Sequence, residues 1–281
     1  MGADTSGFFW CMNTSTIKGQ GLGLEKEIEV IAKAGYAGIE PWVREIDAHV
    51  QNGGSLSELK KRFEDAGLEV VNLIGFFEWM VDDEALREKG LKEARRNMEL
   101  AAAVGCKRLA APPVGATAIV GMEPAKMIER YARLLEIGDE YGVVPVLEFW
   151  GMSKSLNRLG EAVHVAMETG HRKATVLADV FHMYKAGCPH NGLRMIGPET
   201  VAILHMNDYP ANPPRETIKD ADRVYPGDGV APIAQILRDL KAAGFRGALS
   251  LELFNQTYYA QDALEVAKTG LEKMKALAAK I

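Results

Sequence analysis

Four side chains able to bind a divalent cation stand at corresponding places along the chain: Glu148 in "VVPVLEF", Asp179 in "ATVLAD", His205 in "VAILHMND" and Glu252 in "ALSLELFN". Each lies at or near the end of a short run rich in Val, Leu, Ile and Ala, the composition of a strand buried on both faces. A lone carboxylate there is costly to desolvate unless it is paired, hydrogen-bonded or bound to a metal. Alternation puts Val144, Val146 and Glu148 on one face of their strand, and Ile203, His205 and Asn207 on one face of theirs. Three carboxylates and an imidazole make a hard, oxygen-rich donor set that leaves positions for water or substrate. Such a set suits one ion of Mn²⁺, Mg²⁺ or Co²⁺, with Zn²⁺ as an alternative. Without a cation, crowded carboxylates push each other's pKa up. Any one of these acids could instead cap a helix or pair with Lys or Arg; four in succession point to one site.

The elements that must carry these residues follow a repeating pattern: an amphipathic stretch, then Gly, then a short apolar run. It is seen in "IAKAGYAGIE", "FEDAGLEVVNLIG", "AAAVGCKRLAAPP", "DEYGVVPVLEF", "METGHRKATVLAD" and "LKAAGFRGALSLEL". Gly35, Gly67, Gly105, Gly142, Gly170 and Gly244 fall where helices need a left-handed closing residue. With "FFWCMN" and "VAILHMND" the pattern predicts eight strands, nearly all separated by helices. Eight such units in about 250 residues are the size of a (β/α)₈ TIM barrel, in which strand C-terminal ends converge on one face. A doubly wound open sheet has the same alternation and is the competing architecture. No linker or low-complexity segment interrupts the series, so residues 1–281 read as a single (β/α)₈ barrel domain. The irregular stretches 111–122, 185–198 and 209–228 are placed after strands, on the side of the site.

Composition narrows the function classes. The chain is 47% hydrophobic and 25% charged with a formal net charge of -5, which disfavours a nucleic-acid partner. No apolar run approaches the roughly 20 residues of a membrane span. The start "MGADTSGFFW" lacks the basic and apolar regions of an export signal, so a cytoplasmic protein is expected, although a removed signal would leave the same picture. Cys11, Cys106 and Cys188 are odd in number, share no CxxC spacing and read as reduced thiols. "GQGLG" with Glu40 some way on faintly matches a dinucleotide fingerprint, but its third glycine is replaced by Leu24 and the first strand ends too early, near Asn13. No G-x-x-x-x-G-K-[ST] loop and no basic glycine-rich phosphate clamp is present, which favours an unphosphorylated substrate.

The segments "GYAGIE", "LEF", "ADVFHM", "HMND", "DRVYPGDG" and "SLELFNQTYY" resemble, over essentially the whole chain, the xylose-isomerase-like TIM-barrel superfamily of sugar and sugar-phosphate isomerases and epimerases. The last two together are most similar to its inosose (2-keto-myo-inositol) isomerase branch. The resemblance implies one divalent metal on Glu148, Asp179, His205 and Glu252, with Glu148 and Glu252 doubling as an acid/base pair. It also implies that His182, three residues after Asp179, and Arg223, before the "PG" loop, contact substrate. The chain departs from the ketose 3-epimerases at "EFWGMSKSLN", which lacks the further acid they place after the metal Glu.

The expected chemistry is removal of a proton beside a ketone. A divalent ion holding the carbonyl and a vicinal hydroxyl stabilises the developing cis-enediolate, and a carboxylate within about 3 Å takes the proton. Glutamates on opposite sides could serve both faces, as epimerisation requires; isomerisation needs one base to shuttle a proton along one face. The competing functions are an inosose or dehydroshikimate dehydratase on the same scaffold, an endonuclease IV-like DNA repair nuclease, and a sugar-binding barrel without catalysis. Six histidines spread along an acidic chain argue against the nuclease, which needs a His-rich three-metal site and a surface that attracts phosphates. The expected partner is therefore a small keto-sugar or keto-inositol, with no nucleic acid or membrane; a homo-oligomer is left open. His182 could alternatively be a surface-loop histidine, and Arg223 could pair with Asp222 or Asp228. Asp208 either orients a metal ligand from behind or caps a loop, and Glu40, ending "GIE", is assigned the former role. Lys154 and Trp79, in loops after strands, are candidate pocket residues, Lys154 the weaker.

Overall fold

The apolar runs form strands β1 (Phe9–Asn13), β2 (Gly38–Glu40), β3 (Glu69–Val70), β4 (Arg108–Ala111), β5 (Val144–Glu148), β6 (Val176–Asp179), β7 (Val201–Met206) and β8 (Ala248–Leu251) in the computed structural model, which describes residues 7–281. The reading of the N-terminal start as lacking a signal rests partly on residues 1–6, which lie outside the described residues. Every strand pairing is parallel, in the order β3-β2-β1-β8-β7-β6-β5-β4. The two outer strands meet through Leu73, just past β3. Its N–H donates to the Arg108 carbonyl at 3.1 Å, and the Ala110 N–H donates to its carbonyl at 2.9 Å. That contact closes the ring, so the architecture is the (β/α)₈ barrel and not the doubly wound sheet.

The six predicted glycines all have positive φ; Gly35 and Gly142 close their helices directly, at φ 97° and 65°. Between each pair of strands runs at least one amphipathic segment whose apolar stripe packs outside the sheet. In the helix Pro124–Tyr141, for example, Met127, Tyr131, Leu134 and Leu135 are buried at three- and four-residue spacing. Inside the barrel lies a separate apolar cluster with one residue from nearly every strand or its extension, including Cys11, Val71, Ala110, Val146, Leu177, Ile203 and Ala248. Because strand side chains alternate, the residues two positions later point inward one layer higher. Among those residues are Asn13, Glu148, Asp179, His205 and Ser250, all buried. The apolar floor and polar upper layer thus follow from strand periodicity.

Some details differ from the sequence reading. β8 ends at Leu251, so Glu252 follows the strand instead of lying inside it, although its N–H still donates to the Met206 carbonyl at 3.1 Å. A short helix, Val180–Lys185, follows β6 directly, so the segment 185–198 begins at its last residue and contains the turn His190–Met195. Trp79 is no pocket residue of the mouth: it is fully buried in the outer core and donates its indole N–H to the Pro112 carbonyl at 2.6 Å. No helix among the described residues is long and apolar enough to cross a membrane.

Candidate active site

β6, β7 and β8 bring Asp179, His205 and Glu252 together so that one ligand atom from each lies within 4.8 Å of the others. The register explains the convergence: Asp179 pairs with His205, and His205 with Ser250, two residues before Glu252. His205 Nδ1 is 3.1 Å from Glu252 Oε2 and 3.6 Å from Asp179 Oδ2, yet it makes no properly directed hydrogen bond. A buried imidazole nitrogen facing two carboxylates without a directed bond, in an N/O donor set, fits a divalent cation between the three residues. His205 Nε2 lies 3.2 Å from Glu40 Oε2, and Glu40 Oε1 accepts from Asn72 Nδ2 at 3.0 Å. Glu40 therefore stands behind the imidazole, on the side where a group that orients a ligand would lie. Burial alone disfavours a charged His205, but Glu252 and Glu40 outweigh it and raise the imidazole pKa well above its usual value.

Glu148 falls outside that close group. From β5 it lines the cavity at the barrel mouth, which Glu252 of that group also lines, one oxygen accepting from Trp150 Nε1 at 3.0 Å and the other without a protein partner among the described residues. Burial pushes its carboxyl up to about 8, with repulsion from Glu252 and Asp179 adding to it and His205 opposing.

Arg223 is buried and bridges the carboxylates: its Nη1 donates to Asp179 Oδ2 at 2.9 Å and to Glu252 Oε2 at 2.8 Å, while Nη2 reaches Asp220 Oδ1 at 2.5 Å. The alternative partners considered from sequence are engaged elsewhere, Asp222 with the Lys219 N–H and Asp228 with Lys273. For Asp179, burial works upward, but Arg223, His182 and His205 overcome it and hold the carboxyl far below the usual carboxylate range. Removing a guanidinium that serves two buried carboxylates costs about 3–5 kcal/mol. Arg223→Met should therefore lower the urea midpoint of metal-free protein markedly, and added Mn²⁺ should restore part of the loss by resupplying positive charge to Asp179 and Glu252. A midpoint unchanged by the substitution would remove Arg223 from the charge balance of the site.

His182 is not a surface histidine. It lies in the first turn after β6, buried at 4% exposure, with its N–H donating to Asp179 Oδ1 at 2.8 Å and its ring lining the cavity beside Arg223. Burial lowers its pKa. Asp208 has different partners from Glu40. Its carboxylate accepts from the backbone N–H groups of Tyr209, Gly227, Gly229 and Ala231, so it caps the loop after Arg223 and orients no ligand directly. Its backbone pairs with Val224, which fixes the residue next to Arg223. Lys154 does not line the cavity.

Sequence reasoning missed Asn13, whose Nδ2 donates to Glu252 Oε1 at 3.0 Å, and Asn207, whose Nδ2 donates to Asp179 Oδ2 at 3.2 Å. Asn13 ends β1 and Asn207 directly follows β7, each two residues past an inward-facing residue, a signal that alternation carried. The cavity holds about 490 Å³, enough for a small polyol. Its apolar wall has no such signal: Phe254, Trp42, Phe76 and Trp150 form an arc of edge-to-face contacts with centroids 5.3–6.4 Å apart, drawn from four separate strand-end loops. One wall thus suits C–H faces, and the other, with His182, Arg223 and Glu252, suits hydroxyls.

A closed parallel barrel with an acid-rich, imidazole-containing cluster at the C-terminal mouth defines a TIM-barrel enzyme of the metal-site type. The chain belongs to the xylose isomerase-like TIM barrel family, whose model matches residues 28–277. It is 30% identical over 264 residues to an inosose isomerase of Halalkalibacterium halodurans, covering 92% of each chain. It is 27% identical over 264 residues to a 3-dehydroshikimate dehydratase of Pseudomonas aeruginosa, covering 89% of this chain but 39% of that protein. The solved structure of the IolI protein with a bound zinc atom superposes with a TM-score of 0.88 over 97% of this chain and 99% of that one, at 24% identity.

Proposed function

We propose that the protein is a divalent-metal-dependent isomerase or epimerase of a keto-sugar or keto-inositol. The observation that carries this is the convergence of Asp179, His205 and Glu252 at the strand ends, with Glu252 and Glu148 lining one cavity. An ion on Asp179, His205 and Glu252, with Glu148 as the remaining candidate ligand, would supply a Lewis acid for the substrate carbonyl. Donor hardness favours Mn²⁺, and the zinc of the IolI structure makes Zn²⁺ the main alternative.

The chain's own residues divide the remaining work. Glu148, with one oxygen free of protein partners among the described residues and facing the cavity, is suited to take a proton from substrate. Glu252, held by Asn13 and Arg223, stands on another side of the cavity as the second acid/base group. His182 and Arg223 both line the cavity and are assigned to substrate hydroxyls, and the aromatic arc excludes water from another wall. Similarity to inosose isomerases supports the inositol class. Similarity to dehydroshikimate dehydratases keeps elimination as the second reading, since it begins with the same proton removal.

Incubation with Mn²⁺ and a panel of ketohexoses and inososes in D₂O tests this. Deuterium should enter a substrate C–H position, with a product of unchanged elemental composition. A product lighter by one water would select the dehydratase reading, and absence of exchange across the panel would sink both.

A further inference from the structure

The segment "IKGQGLG" between β1 and the helix Leu24–Ala34 has no part in the proton-transfer chemistry above, yet it places a cation in the same cavity. Lys18 is half-buried and lines the cavity with its Nζ 4.6 Å from the Phe254 ring centroid and 5.5 Å from that of Trp42. It has no hydrogen bond or ion pair among the described residues. Ring faces attract an ammonium by only about 0.5–2 kcal/mol and fill none of its N–H donors. Burial, then the neighbouring Arg44, lowers the lysine pKa against the pull of Glu252, Glu45 and Asp220, none of which forms an ion pair with it.

The loop that presents Lys18 is clamped. A Cβ on Gly19 would lie 2.1 Å from Tyr259 Cγ, so only glycine lets the chain press against that ring. Gln20 Nε2 donates to the carbonyls of Tyr258 and Gln261 at 3.0 and 3.1 Å. The glycines of "GQGLG" therefore serve close packing and positive φ, as at Gly21 and Gly23, in place of a nucleotide. In the closed ring β1 lies four strands from β5, so the loop that carries Lys18 and the strand that carries Glu148 border the cavity from opposite sides of the ring.

The geometry points to Lys18 as a substrate-positioning residue: its ammonium donates to a hydroxyl oxygen of a keto-polyol, on a carbon remote from the one that Glu148 deprotonates. This rests on the isomerase or epimerase reading for the substrate class. It makes Lys18 a determinant of which polyol is accepted, with the faces of Trp42 and Phe254 covering adjacent C–H groups.

Calorimetric titration of 2-keto-myo-inositol and its monodeoxy analogues into the Mn²⁺-loaded protein tests it without requiring turnover. Lys18→Met, which keeps the stem on the two rings, should weaken binding roughly ten- to a hundredfold, the range of a hydrogen bond from a charged donor. Lys18→Arg should recover most of that loss, and one deoxy analogue should bind wild type and Lys18→Met equally. Metal content should be the same in all three proteins. Equal affinity of wild type and Lys18→Met, or no binding to wild type, overturns the assignment. So does a preference for an inositol monophosphate that Lys18→Met abolishes, since the lysine would then serve an anion. Deuterium exchange judges the proton-transfer reading separately.

Discussion

Glu148→Gln and Glu252→Gln should each cut substrate deuterium exchange by roughly 10²–10⁴-fold, the usual contribution of a positioned acid/base group. An amide keeps the shape and accepts the hydrogen bonds from Trp150 or Asn13, but it cannot take a proton. The two variants should differ elsewhere. Glu148 stands outside the close group of candidate ligands, so its amide variant should retain more metal than the Glu252 variant, whose carboxylate lies 3.1 Å from His205 Nδ1. For an epimerase, exchange should fail in both, because each face of the substrate needs its own group. Full exchange in Glu148→Gln would show that β5 supplies a ligand or a wall but no base.

The second large effect concerns the metal. Protein purified without chelator should carry about one divalent ion per chain, and His205→Ala should lose most of it together with activity. Glu40→Gln should lose roughly ten- to a hundredfold in metal affinity, the range for a group that orients a ligand from behind. The two losses separate binding from orientation. Elemental analysis and competition with a chromophoric chelator measure both. Equal metal content in wild type and His205→Ala would remove the imidazole from the site.

Much of this site was legible in the chain because a strand's period is two. An apolar layer in the barrel dictates which residues rise above it, and Glu148, Asp179 and His205 follow Val146, Leu177 and Ile203 by that interval. The repeated amphipathic stretch, glycine and apolar run determined the order of elements, since helix closure at positive φ and two-sided burial are local demands. Closure was not local. Whether eight parallel strands end in a ring depends on Leu73 meeting β4, a pairing between separate units that alternation cannot encode. The same holds for ion-pair partners. Arg223 has Asp222 beside it in sequence, but the fold carries its guanidinium inward to Asp179 and Glu252, and it sends Asp208 to backbone amides. Lys18 and the aromatic arc were silent for a related reason: a cavity wall is assembled from strand-end loops far apart in the chain, and only tertiary packing decides which side chains face one another across it.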